Sequence, residues 1–253
     1  MPRTLALATI FALLQAGVTA TLAAEIKVLT TGAMKAVVLT LLRDFETSTG
    51  HKVIVENDTA GGLERRIAGG EAFDVAVLTP AAIARLITSG QVATGSRIDL
   101  AKVGIGLAVK NGAPVPVIAT TEDLKRTLLA AKSIAYIDPK AGGSSGIYFD
   151  QLIERLGIAA QVRAKARLLP GGYVAELVAT GEVEMAVHQI SEIVPVKGVT
   201  LVGPLPADVQ NTTVYSGGLG TAARDSAAAQ ALLANLARPE AAAVLTSRGM
   251  EKP

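Results

Sequence analysis

The sequence predicts an α/β fold in two similar halves, each built around a parallel sheet. Three observations carry that expectation. Short apolar runs alternate with segments of helical apolar spacing, the order that parallel sheets require. The alternation comes as two series, one opening at Ile26 and the other at Ile134. In both series, strands pass straight into helices through loops of Gly, Ser and Thr. Hydrophobic residues make up 50% of the 253 and charged residues 18%, enough apolar material for a packed core.

The first series reads as a strand over Ile26–Leu29 and a helix over Met34–Ser48 that stops at Gly50. Val37, Leu41 and Phe45 lie four apart and form its apolar face, with Val38 and Leu42 beside them. Lys52–Glu56 is a strand, Asn57–Gly62 a polar loop, Leu63–Ala68 a short helix ended by Gly69 and Gly70, Phe73–Leu78 a buried strand and Ala81–Ser89 a helix. Gly104–Lys110 is a further strand, and Thr121–Ala131 a helix with Thr120 or Thr121 as its N-cap. The second series has a strand at Ile134–Ile137, a helix at Ser145–Leu156, an extended stretch near Ala166–Leu169, a helix at Tyr173–Thr180 and a strand at Val183–Val187. A short helix at Ser191–Val194, strands at Val199–Val202 and Val214–Gly220, and helices at Asp225–Leu236 and Pro239–Arg248 complete the chain.

Composition excludes several function classes. Aromatic residues are 3% and Trp is absent, so no stacking platform for bases is expected. The formal charge is +2 with no basic block, so nucleic acid is not an expected partner. Cys is absent, which removes disulfides, thiolate metal sites and Cys nucleophiles. The N-terminus carries Arg3, an apolar run from Leu5 to Leu14 and then small residues, the layout of a secretory signal peptide over residues 1–24. Cleavage is expected after Ala20, Ala23 or Ala24. The apolar run is short for a membrane span of about 20 residues. No Cys follows for a lipid anchor, so a free periplasmic protein without stable membrane insertion is expected.

Four helix starts have small-residue loops: TTGAM (Thr30–Met34), DTAGGL (Asp58–Leu63), GGSSG (Gly142–Gly146) and PGGYV (Pro170–Val174). The first turn of a helix presents unpaired N–H groups and partial positive charge, and small residues let a ligand approach them. Gly and Ser before a helix are also ordinary caps, but four such starts, two per half, suit an anion held between two lobes. Candidate ligand contacts are Thr31, Gly32, Ala33, Gly61, Gly62, Ser144, Ser145, Gly146 and Gly172. Arg65, one turn into its helix, can reach back to a carboxylate. Tyr148 and Tyr173 lie just inside two helix starts and can hydrogen-bond a ligand or pack between lobes, and Met34 reads as packing.

Of the two histidines, His51 follows a helix-ending Gly and reads as surface. His188 closes the apolar run EVEMAV and opens HQISEIV; open α/β sheets place ligands at such strand ends. His188, Gln189, Ser191 and Glu192 are therefore candidates, with His188 the first choice as a general base and Glu192 the second. Two separated histidines do not make a zinc site. No phosphate-cradling Gly-Lys-Ser/Thr loop occurs, and no metal or cofactor is expected.

The segments KVLTTGAMKAV, GGLERRIAGGEAFDVAVLT, IAYIDPKAGGSSGIYFDQLIERLGI, LVATGEVEMAVHQISEI and RPEAAAVLTSRGM together resemble the periplasmic molybdate-binding proteins of ABC importers, over about Glu25–Met250. The resemblance implies a type II periplasmic-binding clamshell: two lobes, each a mostly parallel sheet flanked by helices, joined by two crossovers. Residues 25–103 plus 214–253 would form one lobe and 104–213 the other, with hinge strands near Gly104–Lys110 and Val214–Gly220. It also implies a monomeric receptor that delivers a small anion to an ABC permease. Where that family places serines in its first two loops, this chain has Ala33 and the stretch Ala60–Gly62, and it has His188 where the family has Tyr. Lost hydroxyls and an added imidazole favour an organic di- or tricarboxylate over molybdate or tungstate. Aconitate isomerase resembles the same family, so a cofactor-free isomerase with His188 as base stands beside the favoured receptor reading.

Overall fold

The computed structural model describes residues 23–253. The expected leader lies outside the described residues except for Ala23 and Ala24.

The chain runs β1 (Glu25–Thr31), α1 (Gly32–Thr49), β2 (Lys52–Asp58), α2 (Ala60–Ala68), β3 (Val75–Leu78), α3 (Pro80–Thr88) and β4 (Ile98–Val103). It continues through β5 (Ile105–Lys110), α4 (Thr121–Ala130), β6 (Ile134–Ile137), α5 (Ser144–Arg155), α6 (Ala159–Arg163), β7 (Ala166–Leu169), α7 (Ala175–Thr180), β8 (Met185–Gln189) and α8 (Ile190–Ile193). It ends with β9 (Val199–Pro204), β10 (Thr213–Leu219), α9 (Ser226–Ala237) and α10 (Ala241–Ser247). Two five-stranded sheets result, in the orders β2-β1-β3-β10-β4 and β7-β6-β8-β5-β9. In each, four strands run one way and one is reversed, β10 in the first and β5 in the second. The chain leaves the first sheet at Gly104 and returns through residues 205–212. This is the two-lobed clamshell.

Both faces of each sheet are covered, which is why the strands read as unbroken apolar runs. In β1 and β3, Ile26, Val28, Val75 and Val77 face the core shared with α1, α9 and α10, while Leu29, Ala76 and Leu78 face α2 and α3. In β6 and β8, Ile134, Tyr136, Met185 and Val187 join the core with α4, α5 and α6, while Ala135, Ile137 and Ala186 face α7. Met34, expected to pack, is buried in the first of these cores.

Two elements differ from expectation because their sequence signal is weak. In β4, Asp99 and Lys102 interrupt the apolar run; the Ser216 hydroxyl donates to Asp99 at 2.6 Å, beside a bulge between Tyr215 and Ser216. Helix α6 is only five residues long.

An ion-pair cluster ties the edge of the first sheet to α2. Lys27 Nζ lies 2.9 Å from Glu71 and 3.0 Å from Glu56, and Arg66 Nε lies 2.6 Å from Glu71. Hydrogen bonds from Arg66 and then Lys27 hold the Glu71 carboxyl down at about 2, from an ordinary value of 4.5. A depressed carboxyl contributes stability above its unfolded value and loses it as pH falls towards the folded one. The thermal midpoint should therefore drop between pH 4.5 and about 2 by more in the wild type than in Glu71→Gln, with the two curves converging at the acid end. Parallel curves in a pH series of melts would refute this.

Candidate functional site

Strands β1, β2, β6 and β8 all point their C-terminal ends at one cleft between the lobes. The empty space in it, with the open solvent at its mouth included, is about 410 Å³. Thr31, Gly32 and Ala33 line it from the start of α1, and Asn57, Asp58, Thr59 and Ala60 from the start of α2. From the other lobe come Ile137, Gly143, Ser144, Ser145, Gly171, Gly172, His188 and Glu192; Tyr215 closes the wall from β10.

The helix starts are not equivalent. Neither α1 nor α5 has a side-chain cap, so their first-turn N–H groups are free to meet a ligand. In α2, Thr59 Oγ1 caps Gly62 N–H at 3.0 Å and Gly61 N–H donates to Gly142 O at 3.1 Å. That start is satisfied by the protein itself. Two expectations are corrected here. Helix α2 begins at Ala60 rather than Leu63, which places Gly61 and Gly62 inside its first turn. Helix α7 begins at Ala175 rather than Tyr173 and is six residues long; Gly171 and Gly172 meet the cleft as loop backbone.

Other expected contacts turn elsewhere. Arg65 donates through Nη2 to Ala141 O at 3.3 Å and does not line the cleft. Tyr148 donates to Val209 O at 2.8 Å, beside the second crossover, and its ring carries Arg155 at 5.1 Å. Gly146 backs onto β6, where any Cβ would overlap the Ile137 carbonyl. Tyr173 lies outside the wall, its phenol pushed up by burial and then by the charge of Glu192. Gln189 lies behind the wall: its Nε2 donates to Ser144 Oγ at 3.1 Å and to Thr213 Oγ1 at 3.0 Å. Ser191 is buried close by, with its Oγ unpartnered. His51 is not at the surface. It is 6% exposed, packs 5.9 Å from the Phe45 ring, and accepts Ala24 N–H through Nδ1 at 3.0 Å.

His188 is 2% exposed, yet its Nε2 has no hydrogen-bond partner. Its Nδ1 lies 3.0 Å from Glu192 Oε2 and 2.8 Å from Gln189 N–H, which donates to it. Thr31 Oγ1 and Gln189 Oε1 are likewise buried without partners. Protein interiors rarely leave such groups unpaired, and two of these residues, Thr31 and His188, line the cleft. Asp58 and Tyr215 also line the cleft, and neither is among the contacts expected from sequence. Asp58 accepts Thr59 N–H at 2.7 Å, and the Tyr215 hydroxyl lies 3.3 Å from Ser144 Oγ. Burial, and then the charge of Glu192, raises the Tyr215 phenol far above its ordinary range and keeps it a donor. Its signal was a lone Tyr in the Gly-rich apolar run VYSGG; Asp58 had only its place at a strand end. The wall carries two carboxylates, one imidazole and neither Lys nor Arg among its described residues. An anion here must be held by backbone N–H groups, hydroxyls and His188.

Among the described residues, no helix is long and apolar enough to cross a membrane. The chain is 34% identical over 230 residues to the aconitate isomerase of a Pseudomonas species, covering 88% of this chain and 86% of that protein. It is 29% identical to the molybdate-binding protein ModA of Azotobacter vinelandii, covering 90% of each. The solved structure of the periplasmic molybdate-binding protein of Azotobacter vinelandii superposes with a TM-score of 0.77 at 18% identity, over 90% of this chain and 99% of that one. The family described as bacterial extracellular solute-binding protein matches residues 26–251, and the chain belongs to it.

Proposed function

We propose that this protein is a periplasmic, cofactor-free isomerase that shifts a proton within a small polycarboxylate, aconitate in the first instance. One observation carries the reading: a buried imidazole in the cleft wall with Nε2 unpartnered and Nδ1 against a carboxylate. A receptor needs donors and a fitting shape. An imidazole backed by a carboxylate adds a proton acceptor that binding alone does not call for. The 34% identity to an aconitate isomerase supports the same chemistry.

The mechanism follows from the groups present. Aconitate has a CH₂ next to both a carboxylate and a C=C bond. His188 Nε2 takes a proton from that CH₂, and the electron pair spreads over the three-carbon unit and its carboxylates. The imidazolium returns the proton to the far carbon, and the double bond moves one position. One group serves as base and then as acid, and no electrons leave the substrate. The free N–H groups of α1 and α5, with Thr31, Ser144, Ser145 and Tyr215, meet the substrate carboxylates and the developing charge.

The second reading is a carboxylate receptor serving an ABC permease. It is favoured by the clamshell and by the molybdate-binding relative that is 29% identical. In that reading residues 25–103 with 214–253 close onto residues 104–213 around the same ligand. A proton NMR time course of trans-aconitate with purified protein separates the two. The isomerase reading expects cis-aconitate signals from catalytic amounts of protein, with solvent deuterium entering the CH₂. Line broadening without conversion would establish the receptor instead, and neither effect would remove this substrate class.

A further inference from the structure

Glu192 lies on the four-residue helix α8 of the second lobe, and its carboxylate leans on the first. Oε2 reaches His188 Nδ1, and Oε1 fills the space where a Cβ on Gly32 would stand. Gly32 is the first residue of α1, a start without a side-chain cap. A carboxylate that is 9% exposed is costly to bury unless positive charge meets it. The partial positive charge of an 18-residue helix start meets it from one side, and the His188 imidazole stands within hydrogen-bond distance on the other.

His188 Nδ1 has two neighbours that ask opposite things of it. Gln189 N–H, at 2.8 Å, needs a bare nitrogen. Glu192 Oε2, at 3.0 Å, needs a proton in between. A bond to an ionised carboxylate is about twice as strong as a neutral one, so an ionised Glu192 draws the proton to Nδ1 and leaves Nε2 bare, as a base must be. Without that carboxylate the Gln189 amide takes Nδ1, the proton moves to Nε2, and the ring facing the cleft becomes a donor only.

We infer that Glu192 is the positioning residue that sets His188 as a base, and that Gly32 is the seat on the opposite lobe that holds Glu192 there, so that closure of the lobes completes the base. The inference rests on the isomerase reading for its kinetic consequences, but not for its tautomer. Two variants test it. Glu192→Gln keeps the shape and removes the charge. Gly32→Ala leaves Glu192 intact and pushes its carboxylate off the seat. Each is assayed with trans-aconitate and examined by ¹⁵N NMR of the ring nitrogens. With only two histidines in the chain, His51 serves as an internal reference.

The expected result for Glu192→Gln is a kcat lowered about 100-fold with KM within about threefold, the effect of a general base held in the wrong tautomer. The neutral His188 ring should change from Nδ1-protonated to Nε2-protonated. Gly32→Ala should move both readouts in the same direction, with a kcat loss of at least about 10-fold. Folded variants, checked by their melts, with wild-type kcat and an unchanged tautomer would overturn the inference. A wild type that does not turn over aconitate would instead overturn the isomerase reading. In that case the ring nitrogens decide the role of Glu192 on their own: a tautomer unmoved by either variant refutes it.

Discussion

Replacing His188 by Asn should reduce kcat for aconitate isomerisation by about 10²- to 10⁴-fold, the usual contribution of a positioned acid–base group. Affinity for a non-reacting tricarboxylate such as propane-1,2,3-tricarboxylate should fall by no more than about 10-fold, the worth of one hydrogen bond of about 1 kcal/mol. The asymmetry is the content of the prediction. Nε2 is the atom without a partner, and the N–H groups of α1 and α5 remain in place to hold the carboxylates. His51 provides the contrast. It is also buried, but its Nδ1 is spent on Ala24 N–H and its ring on Phe45. His51→Asn should cost about 1 to 2 kcal/mol of stability through the lost bond and packing, and leave kcat and affinity unchanged. Turnover at the wild-type rate by His188→Asn, measured by the same NMR assay, would remove the base from the mechanism. Equal loss of tricarboxylate binding in both variants would place His188 among structural residues.

The two sheets were legible because each strand face is apolar in turn. Ile134, Ala135, Tyr136 and Ile137 are all buried, two towards each side of the sheet, and such runs are visible without coordinates. The reversed strands were not legible, because β5 and β10 have the same apolar composition as their parallel neighbours. In the site, small-residue helix starts pointed to Thr31–Ala33 and Ser144–Ser145, which do line the cleft, and a polar strand end pointed to His188. The same rule also pointed to Gly61 and Gly62, which do not. Small residues before a helix signal close approach, but they do not say of what. Around α1 and α5 the neighbour is the cleft; around α2 it is another backbone. Likewise the i,i+4 relation of His188 to Glu192 was present in the sequence, whereas the reach of Glu192 to Gly32 joins residues 160 positions apart and needed the fold.

That contact between backbones sets up the second large effect. Gly61→Ala should leave the unliganded protein as stable as the wild type, or more so, while weakening tricarboxylate binding about 10- to 100-fold. In the first turn of α2, Ala is the better helix former, by up to about 1 kcal/mol, and Gly61 does not use a positive φ that only Gly tolerates. Across the mouth of the cleft, however, the new Cβ would stand 2.9 Å from Gly142 Cα. A side chain can swing aside; a backbone cannot, so the lobes must part. Gly142 cannot yield cheaply either, since it sits at φ 83° and a Cβ of its own would meet Gly61 Cα at 2.7 Å. Parting loosens three bonds made only between the lobes: Gly61 N–H to Gly142 O at 3.1 Å, Thr59 Oγ1 to Ala141 O at 2.6 Å and Arg65 Nη2 to Ala141 O at 3.3 Å. At about 0.5 to 0.9 kcal/mol each, the lower part of the usual range, they account for the expected loss, because a ligand that needs the closed form binds in proportion to its population. Calorimetric titration with propane-1,2,3-tricarboxylate and melts without ligand read the two halves of the prediction separately. A lower melt with unchanged affinity would make the glycine pair a local folding requirement. A steady melt with weakened binding would make it the clasp that two Gly-Gly pairs, 81 residues apart, were placed to form.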